Sequence, residues 1–334
     1  MLAKVGVSVK SGRPTQWRTP FQTAELYILH WPDAIFWNRK SLARLWFRIG
    51  LVLVNLAVLK ARGTRVLWFV HNLQPHELPP SRFRAWKVYA ASLAHLTDGW
   101  VTLSPSTADL VIERYGVLLQ KSHTYIWHPP YSNSYYGDRT SARSELGFPA
   151  DQLIYGHIGQ IRAYKNLLAF AERFGGLAPE GARLLIAGKP FDGIEVAMTQ
   201  LEAISGWMDW RRGTLSPAAF DRTLLALDVF VAPYSRFLHS GALVHALSRG
   251  CVVVAPRAPF TADLADALGE DWVILYAYAV TAEILERARQ SVCRLRGTFP
   301  DLSSFKPERN LNRLHALLQR IGAIPGFVQA GAQF

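Results

Sequence analysis

Cysteine is scarce in this sequence: Cys251 and Cys293 are the only two, far apart and outside any CxxC pair. That excludes a disulfide framework and a thiolate zinc site, and it fits a reducing compartment. No two aspartates stand as DxD, so there is no obvious acidic pair to hold a divalent ion on a diphosphate. Long hydrophobic runs are lacking as well. The longest, IGLVLVNLAVL (Ile49–Leu59), has about half the roughly 20 residues a span requires, and reads as a buried helix of an α/β domain. The opening MLAKVGVSVKSGRP has no continuous apolar core, unlike a secretory signal. Acidic residues are thin in the first half: residues 1–150 hold 18 Lys+Arg against 8 Asp+Glu, a balance of +10, while the remaining 184 hold 19 and 17, a balance of +2. A half so basic is expected to face something anionic, whether membrane, nucleic acid or acidic substrate.

What is present is a globular α/β pattern. Of the 334 residues, half are hydrophobic and 19% charged, enough for two ordinary domains. Apolar runs at Val5–Val9, Leu26–Trp31, Val66–His71, Trp100–Leu103 and Thr124–His128 alternate with helical stretches. The alternation repeats at Leu153–Ile158, Leu184–Ala187, Val229–Ala232, Val252–Ala255 and Val273–Tyr276. Continuous apolar strands separated by helices form parallel sheets covered on both faces. Two Rossmann-like domains facing across a cleft are expected: 1–145, then 146–305, with 306–334 as a C-terminal helix and tail that could pack back on the first. The first strand–helix unit reads as short or missing.

In open α/β sheets ligands bind at the carboxyl ends of strands, and several polar motifs fall there. YGHIGQIRAYKN ends a strand at Gly159 and follows it with Arg162 and Lys165. Glycine lets a ligand approach the backbone, and the two cations match a diphosphate; ordinary surface cations are the alternative. Ser240–Gly241 opens a helix after VFVAPY, offering free N–H groups to an anion. LLIAGKP ends a strand at Gly188 and Lys189, and WRRGTLS places Arg211 and Arg212 after a strand-like segment. These two arginines could contact a nucleotide base or phosphate, or form a solvated basic turn.

HWPD, HNLQPHE, GQIRAYKN and PYSRFLHSGALVHALSRGCVVVAP together resemble bacterial exopolysaccharide glycosyltransferases of the GT-B fold. The likeness is greatest to the inverting β-mannosyltransferases that extend lipid-linked xanthan-type repeat units, and it runs in order from about Leu26 to Leu285. The resemblance implies an N-terminal acceptor domain, a C-terminal nucleotide-sugar domain and metal-independent chemistry, with no metal site. Arg162, Lys165, Gly159, Ser240 and Gly241 would then hold the leaving diphosphate. Retaining relatives carry two glutamates eight positions apart; this chain has Phe237 and His245 there, which favours inversion and leaves His245 beside the ribose position. An inverting transfer needs a base for the acceptor hydroxyl. Glu77 is the first candidate and Asp33 the second, with His71 touching the donor sugar or orienting the base. Each has a structural alternative: Glu77 could cap a helix beginning near Pro79.

NRKSLARLWFR and SRFRAWKVY mix cations with aromatics at helical spacing. Arg44, Trp46, Arg48, Arg82, Arg84, Trp86 and Lys87 suit a helix face on an anionic membrane, or else a core helix with a basic outer side. The expected function is sugar transfer, with GDP-mannose the foremost donor and a UDP-sugar (glucosyl or glucuronosyl) next. The acceptor would be a lipid-diphosphate-linked oligosaccharide at the inner face of the cytoplasmic membrane, in exopolysaccharide assembly. No cofactor beyond the nucleotide-sugar co-substrate is expected, and no motif points to nucleic acid. A nucleotide-sugar 2-epimerase and a non-catalytic membrane-associated binding subunit are the alternatives from other classes.

Overall fold

The computed structural model describes residues 24–37, 41–132, 134–191 and 193–324. The strand expected at Val5–Val9, and with it the question of a short first strand–helix unit, lies outside them. The chain forms two compact units, one of residues up to Trp127 together with those from Phe305 on, the other of His128–Ser304.

The first unit contains a parallel sheet of β1 (Leu26–His30), β2 (Arg65–Phe69), β3 (Gly99–Thr102) and β4 (Ser122–Tyr125), in that spatial order. Val66, Leu67, Trp68, Trp100 and Val101 are almost wholly buried, as expected of strands covered on both faces. The covering helices include α1 (Leu42–Ala61), α2 (Phe83–Leu96) and α3 (Thr107–Arg114). Ser41 caps α1 by accepting the Arg44 N–H. Leu45, Ile49, Val52, Leu56 and Leu59 recur at three- and four-residue spacing and form its buried face.

The expectation of a buried helix at Ile49–Leu59 needs correction. The helix starts seven residues earlier, and it carries more apolar side chains than one face can bury. Trp46, Phe47 (73% exposed), Val54 and Val58 point to solvent. By length and composition α1 could cross a membrane, and a third of its apolar window is buried within the unit.

The second unit is a six-stranded parallel sheet: β5 (Ile154–Ile158), β6 (Arg183–Gly188), β7 (Met208–Arg212), β8 (Val229–Val231), β9 (Val252–Pro256) and β10 (Val273–Tyr276). Its spatial order is β10-β9-β8-β5-β6-β7, which is the 3-2-1-4-5-6 order of dinucleotide-binding sheets read from the other edge. The chain reverses its direction of winding between β5 and β8, and the switch point is there. WRRGTLS was expected to follow a strand; instead Trp210, Arg211 and Arg212 belong to β7 itself. Burial alternates along MDWRR, so β7 has no continuous apolar run, as befits a strand at the edge of the sheet.

Around this sheet pack α4 (Arg139–Leu146), α5 (Leu167–Leu177), α6 (Ile194–Ile204), α7 (Pro217–Ala226), α8 (Gly241–Ser248), α9 (Pro259–Leu268) and α10 (Ala282–Leu295). Residues 128–146 lie with this unit because two buried carboxylates tie them down. Asp228 accepts the Ile154 N–H at 2.8 Å and pairs with Arg139 at 2.5 Å and Arg143 at 2.6 Å. Asp221 accepts the Ser134 N–H at 2.6 Å, and Arg249, bound to Asp221, also donates to the Tyr131 and Ser132 carbonyls. The last helix, α11 (Pro307–Arg320), belongs to the first unit. Its Leu314, Leu317 and Leu318 join Leu67, Val101 and Ile126 in one core, and Asn310 bonds both backbone groups of Trp127.

Candidate active site

Next to the switch point of the second sheet, Gly159 directly follows β5 and Gly188 closes β6, the other neighbour of β5, both with positive φ (124° and 146°). A Cβ on Gly188 would lie 1.8 Å from the Gly159 carbonyl oxygen, so this backbone contact requires glycine. Gly159 donates its N–H to the Ala187 carbonyl and Ile161 its own to that of Lys189, carrying the ladder past the strands. Lys165 therefore comes back over the end of β5, its Nζ 3.6 Å from where a Gly159 Cβ would stand.

Lys165 is 8% exposed. Its ammonium lies 3.2 Å from His157 Nε2 and 5.5 Å from the Tyr234 ring centroid. Burial, with some help from Arg162, lowers its pKa to about 8. Arg162 stacks its guanidinium on Phe191 at 4.1 Å and donates from Nε to Gln160 at 3.0 Å; Lys189 reaches the same ring at 5.4 Å. Five of the expected donor-site residues, Gly159, Arg162, Lys165, Gly188 and Lys189, thus meet at two neighbouring strand ends. Three cations there with two side-chain-free backbones can receive a diphosphate.

The other expected donor residues fare differently. Ser240 is the N-cap residue of α8, yet its side chain makes no capping bond. A Cβ on Gly241 would meet the Tyr131 hydroxyl at 2.7 Å and His128 Nε2 at 3.1 Å, so the His128–Tyr131 pair rests on this helix start. His245 does not lie open beside a ribose position. Its Nε2 is bound to Asp221 at 2.6 Å, and its ring is sandwiched by Tyr131 at 4.1 Å and Phe220 at 5.0 Å. The histidine expected at a ribose position is instead part of the clamp that holds Tyr131 and Ser134. Arg211 is likewise engaged, with Asp209 and the Leu146 carbonyl. Arg212 is exposed and lies over Trp210.

In the first unit, the carboxyl ends of β1 and β2 bring His30 and His71 to 3.0 Å between Nδ1 and Nε2. Trp31, in the left-handed region at φ 52°, stacks flat on His71 at 4.2 Å. His30 stacks on Phe69 at 4.5 Å. Asp33, one of the expected bases, is 4% exposed and accepts from Asn72 at 3.4 Å. Burial raises its carboxyl pKa, a direction that suits a base, but the group is enclosed. Glu77 is exposed on the following loop, three residues before the short 3-10 turn Pro80–Arg82.

Among the residues expected on a membrane face, Trp86 is a correction. It is 1% exposed and packs in the core against Phe36 and Tyr89, because its position on α2 falls with Ala85, Tyr89 and Leu93 on the inner stripe. Arg82 reaches the Phe36 carbonyl. Arg44, Trp46, Arg84 and Lys87 are exposed and Arg48 half-buried.

Sequence reasoning missed His157, Tyr234, Phe191 and Asp221. The one legible signal was His157, an ionisable residue inside the apolar run of β5. Among the described residues no cluster of three or more His, Cys, Asp or Glu could hold a metal ion.

Known structures share this architecture. A sucrose-phosphate synthase from Thermosynechococcus elongatus matches with a TM-score of 0.59 at 17% identity, over 81% of this chain and 70% of that one. Anabaena HepE in complex with UDP-glucose matches at 0.58 and 14%, over 83% and 75%. No protein-family model matches the chain. The fold is GT-B, two parallel α/β units of glycosyltransferase type. In sequence, the chain is 26% identical over 287 residues to the GDP-mannose:glycolipid 4-beta-D-mannosyltransferase of Xanthomonas campestris pv. campestris, covering 82% of this chain and 74% of that protein. The resemblance read from the motifs is thereby met, and the chain is a glycosyltransferase of the GT-B fold.

Proposed function

We propose that the protein transfers a mannosyl residue from GDP-mannose to a glycolipid with inversion at the anomeric carbon. The observation that carries the donor half is the meeting of Arg162, Lys165 and Lys189 over the Gly159–Gly188 contact, where β5 and β6 end beside the switch point. There the cations neutralise the diphosphate as it departs, the task a metal performs elsewhere. The relative's name, GDP-mannose:glycolipid 4-beta-D-mannosyltransferase, supports both donor and acceptor class.

The reaction is a single displacement. The acceptor hydroxyl oxygen bonds to the anomeric carbon, the bond from that carbon to the diphosphate breaks, and Glu77 accepts the hydroxyl proton. Glu77 is favoured over Asp33 because it is exposed where Asp33 is enclosed. The acceptor is a lipid-diphosphate-linked oligosaccharide of exopolysaccharide assembly, met at the cytoplasmic face of the membrane. Exposed Trp46 and Phe47 beside Arg44 on α1, and Phe83 beside Arg84 and Lys87 on α2, have the chemistry of a surface for anionic headgroups.

A thermal-shift comparison of GDP, UDP, dTDP and ADP, with and without EDTA, tests the donor site. Stabilisation by GDP alone, insensitive to EDTA, is the expected result. Stabilisation by UDP alone would transfer the proposal to a UDP-sugar donor, and no stabilisation by any of them would refute the donor site.

A further inference from the structure

Lys165 is anchored by a residue that no phosphate-binding motif marks. His157, on β5, is 1% exposed, its ring packed against Phe230 and Tyr234. Its Nδ1 is 3.0 Å from the carbonyl oxygen of Val231 at the end of β8. A carbonyl only accepts, so Nδ1 carries the hydrogen. Burial and the Lys165 ammonium keep the ring neutral, which leaves a lone pair on Nε2. That lone pair faces the Lys165 ammonium at 3.2 Å. The two strands that define the switch point are thus joined to the cation through one imidazole: β8 sets the tautomer, and the tautomer creates the acceptor.

We propose that His157 is a positioning residue for donor binding, holding the Lys165 ammonium over Gly159 so that it meets the nucleoside diphosphate already oriented. This rests on Lys165 being a diphosphate cation. The physical gain is twofold. A lysine fixed before binding loses little side-chain entropy when the ligand arrives, and a charge in a water-poor site acts more strongly on a phosphate than one in solvent. The groups facing Lys165 are His157 from β5, Arg162 from the preceding loop and Tyr234 from the segment after β8. Arg162 works against the charged form and the His157 lone pair works for it, so removing the lone pair makes the ammonium easier to deprotonate.

The test is titration calorimetry with GDP and UDP between pH 7 and 9. It compares wild type with Lys165→Met, His157→Asn, His157→Gln and the Lys165→Met/His157→Asn double variant. Asparagine can still donate to Val231 but falls short of Lys165; glutamine extends an oxygen to about where Nε2 lies. The expected result is a loss of roughly tenfold in affinity for His157→Asn, the worth of one charge-assisted hydrogen bond, with the alkaline fall in affinity moved to lower pH. His157→Gln is expected to restore both. In the double variant the two losses should fail to add, since they act through one ammonium. Weakened binding in Lys165→Met with wild-type affinity and pH profile in His157→Asn would overturn the role of His157 alone. Equal losses in His157→Asn and His157→Gln without a pH shift would reduce His157 to packing, and overturn it too. Wild-type affinity in Lys165→Met would instead remove the diphosphate reading beneath it. Urea melts of each variant show that it is folded.

Discussion

Replacing Gly188 by alanine probes the geometry on which the proposed donor site is built. The added Cβ would lie 1.8 Å from the Gly159 carbonyl oxygen and 2.7 Å from its carbon, where non-bonded atoms normally meet at about 3.5 Å. Neither atom belongs to a flexible side chain, so the ends of β5 and β6 must part. The bonds from Gly159 N–H to Ala187 and from Gly213 N–H to Gly188 lie in the path of that movement. Overpacking costs about 1–3 kcal/mol, holding a non-glycine residue at φ 146° a further 1–3 kcal/mol or so, and each weakened hydrogen bond about 1 kcal/mol. The lower entropy of an unfolded alanine returns about 0.4–1 kcal/mol. A net loss of about 3–8 kcal/mol follows, or on the order of 10–30 °C in the Tm of a unit this size. Differential scanning calorimetry measures it, with GDP affinity as the second readout, because Lys165 stands over Gly159. Gly176 on α5 is the control: nothing lies within 4 Å of its added Cβ, and alanine there should raise stability by about 0.5–1 kcal/mol. A Gly188→Ala protein that melts and binds GDP like wild type would refute the reasoning.

Lys165→Met should separate stability from binding. The folded pKa of about 8 lies below the usual lysine value, so between those two pH values the unfolded chain binds more protons and the stability of wild type rises with pH. Below pH 8 the buried ammonium is a burden that methionine removes, so this variant should resist urea better than wild type at pH 7 while losing GDP affinity. Asp228→Ala removes the shared partner of Arg139 and the buried Arg143 and should cost about 3–5 kcal/mol in denaturant melts, far from any reacting group. Glu77→Gln should abolish mannosyl transfer and leave GDP affinity within about twofold, an amount below 1 kcal/mol; loss of GDP binding would take Glu77 out of the base role. Phe47→Ser with Arg44→Gln should reduce co-sedimentation with anionic vesicles, most at low salt, and equal binding to neutral vesicles would refute the electrostatic part.

The amino-acid sequence by itself determined the class of fold. Continuous apolar runs such as those of β2, β5 and β9 survive only between two covering layers, and helices between them force a parallel sheet, so repetition of the pattern announces two such units. It also determined the short-range parts of the proposed donor site, because Gly159, Arg162 and Lys165 are fixed by one strand end and one turn. Tertiary structure decided whatever depends on distant partners. Gly188 is required by the Gly159 carbonyl and His157 is oriented by Val231, relations that exist only once parallel strands are in register. Asp221 claims His245 from 24 residues away in the chain, making a clamp of a residue expected beside a ligand. Trp86 and Phe47 show the limit from the other side: both lie in basic, aromatic helical stretches, and helical phase against the sheet puts one at 1% exposure and the other at 73%. Composition records which side chains a helix carries, but only packing chooses which of them meet water.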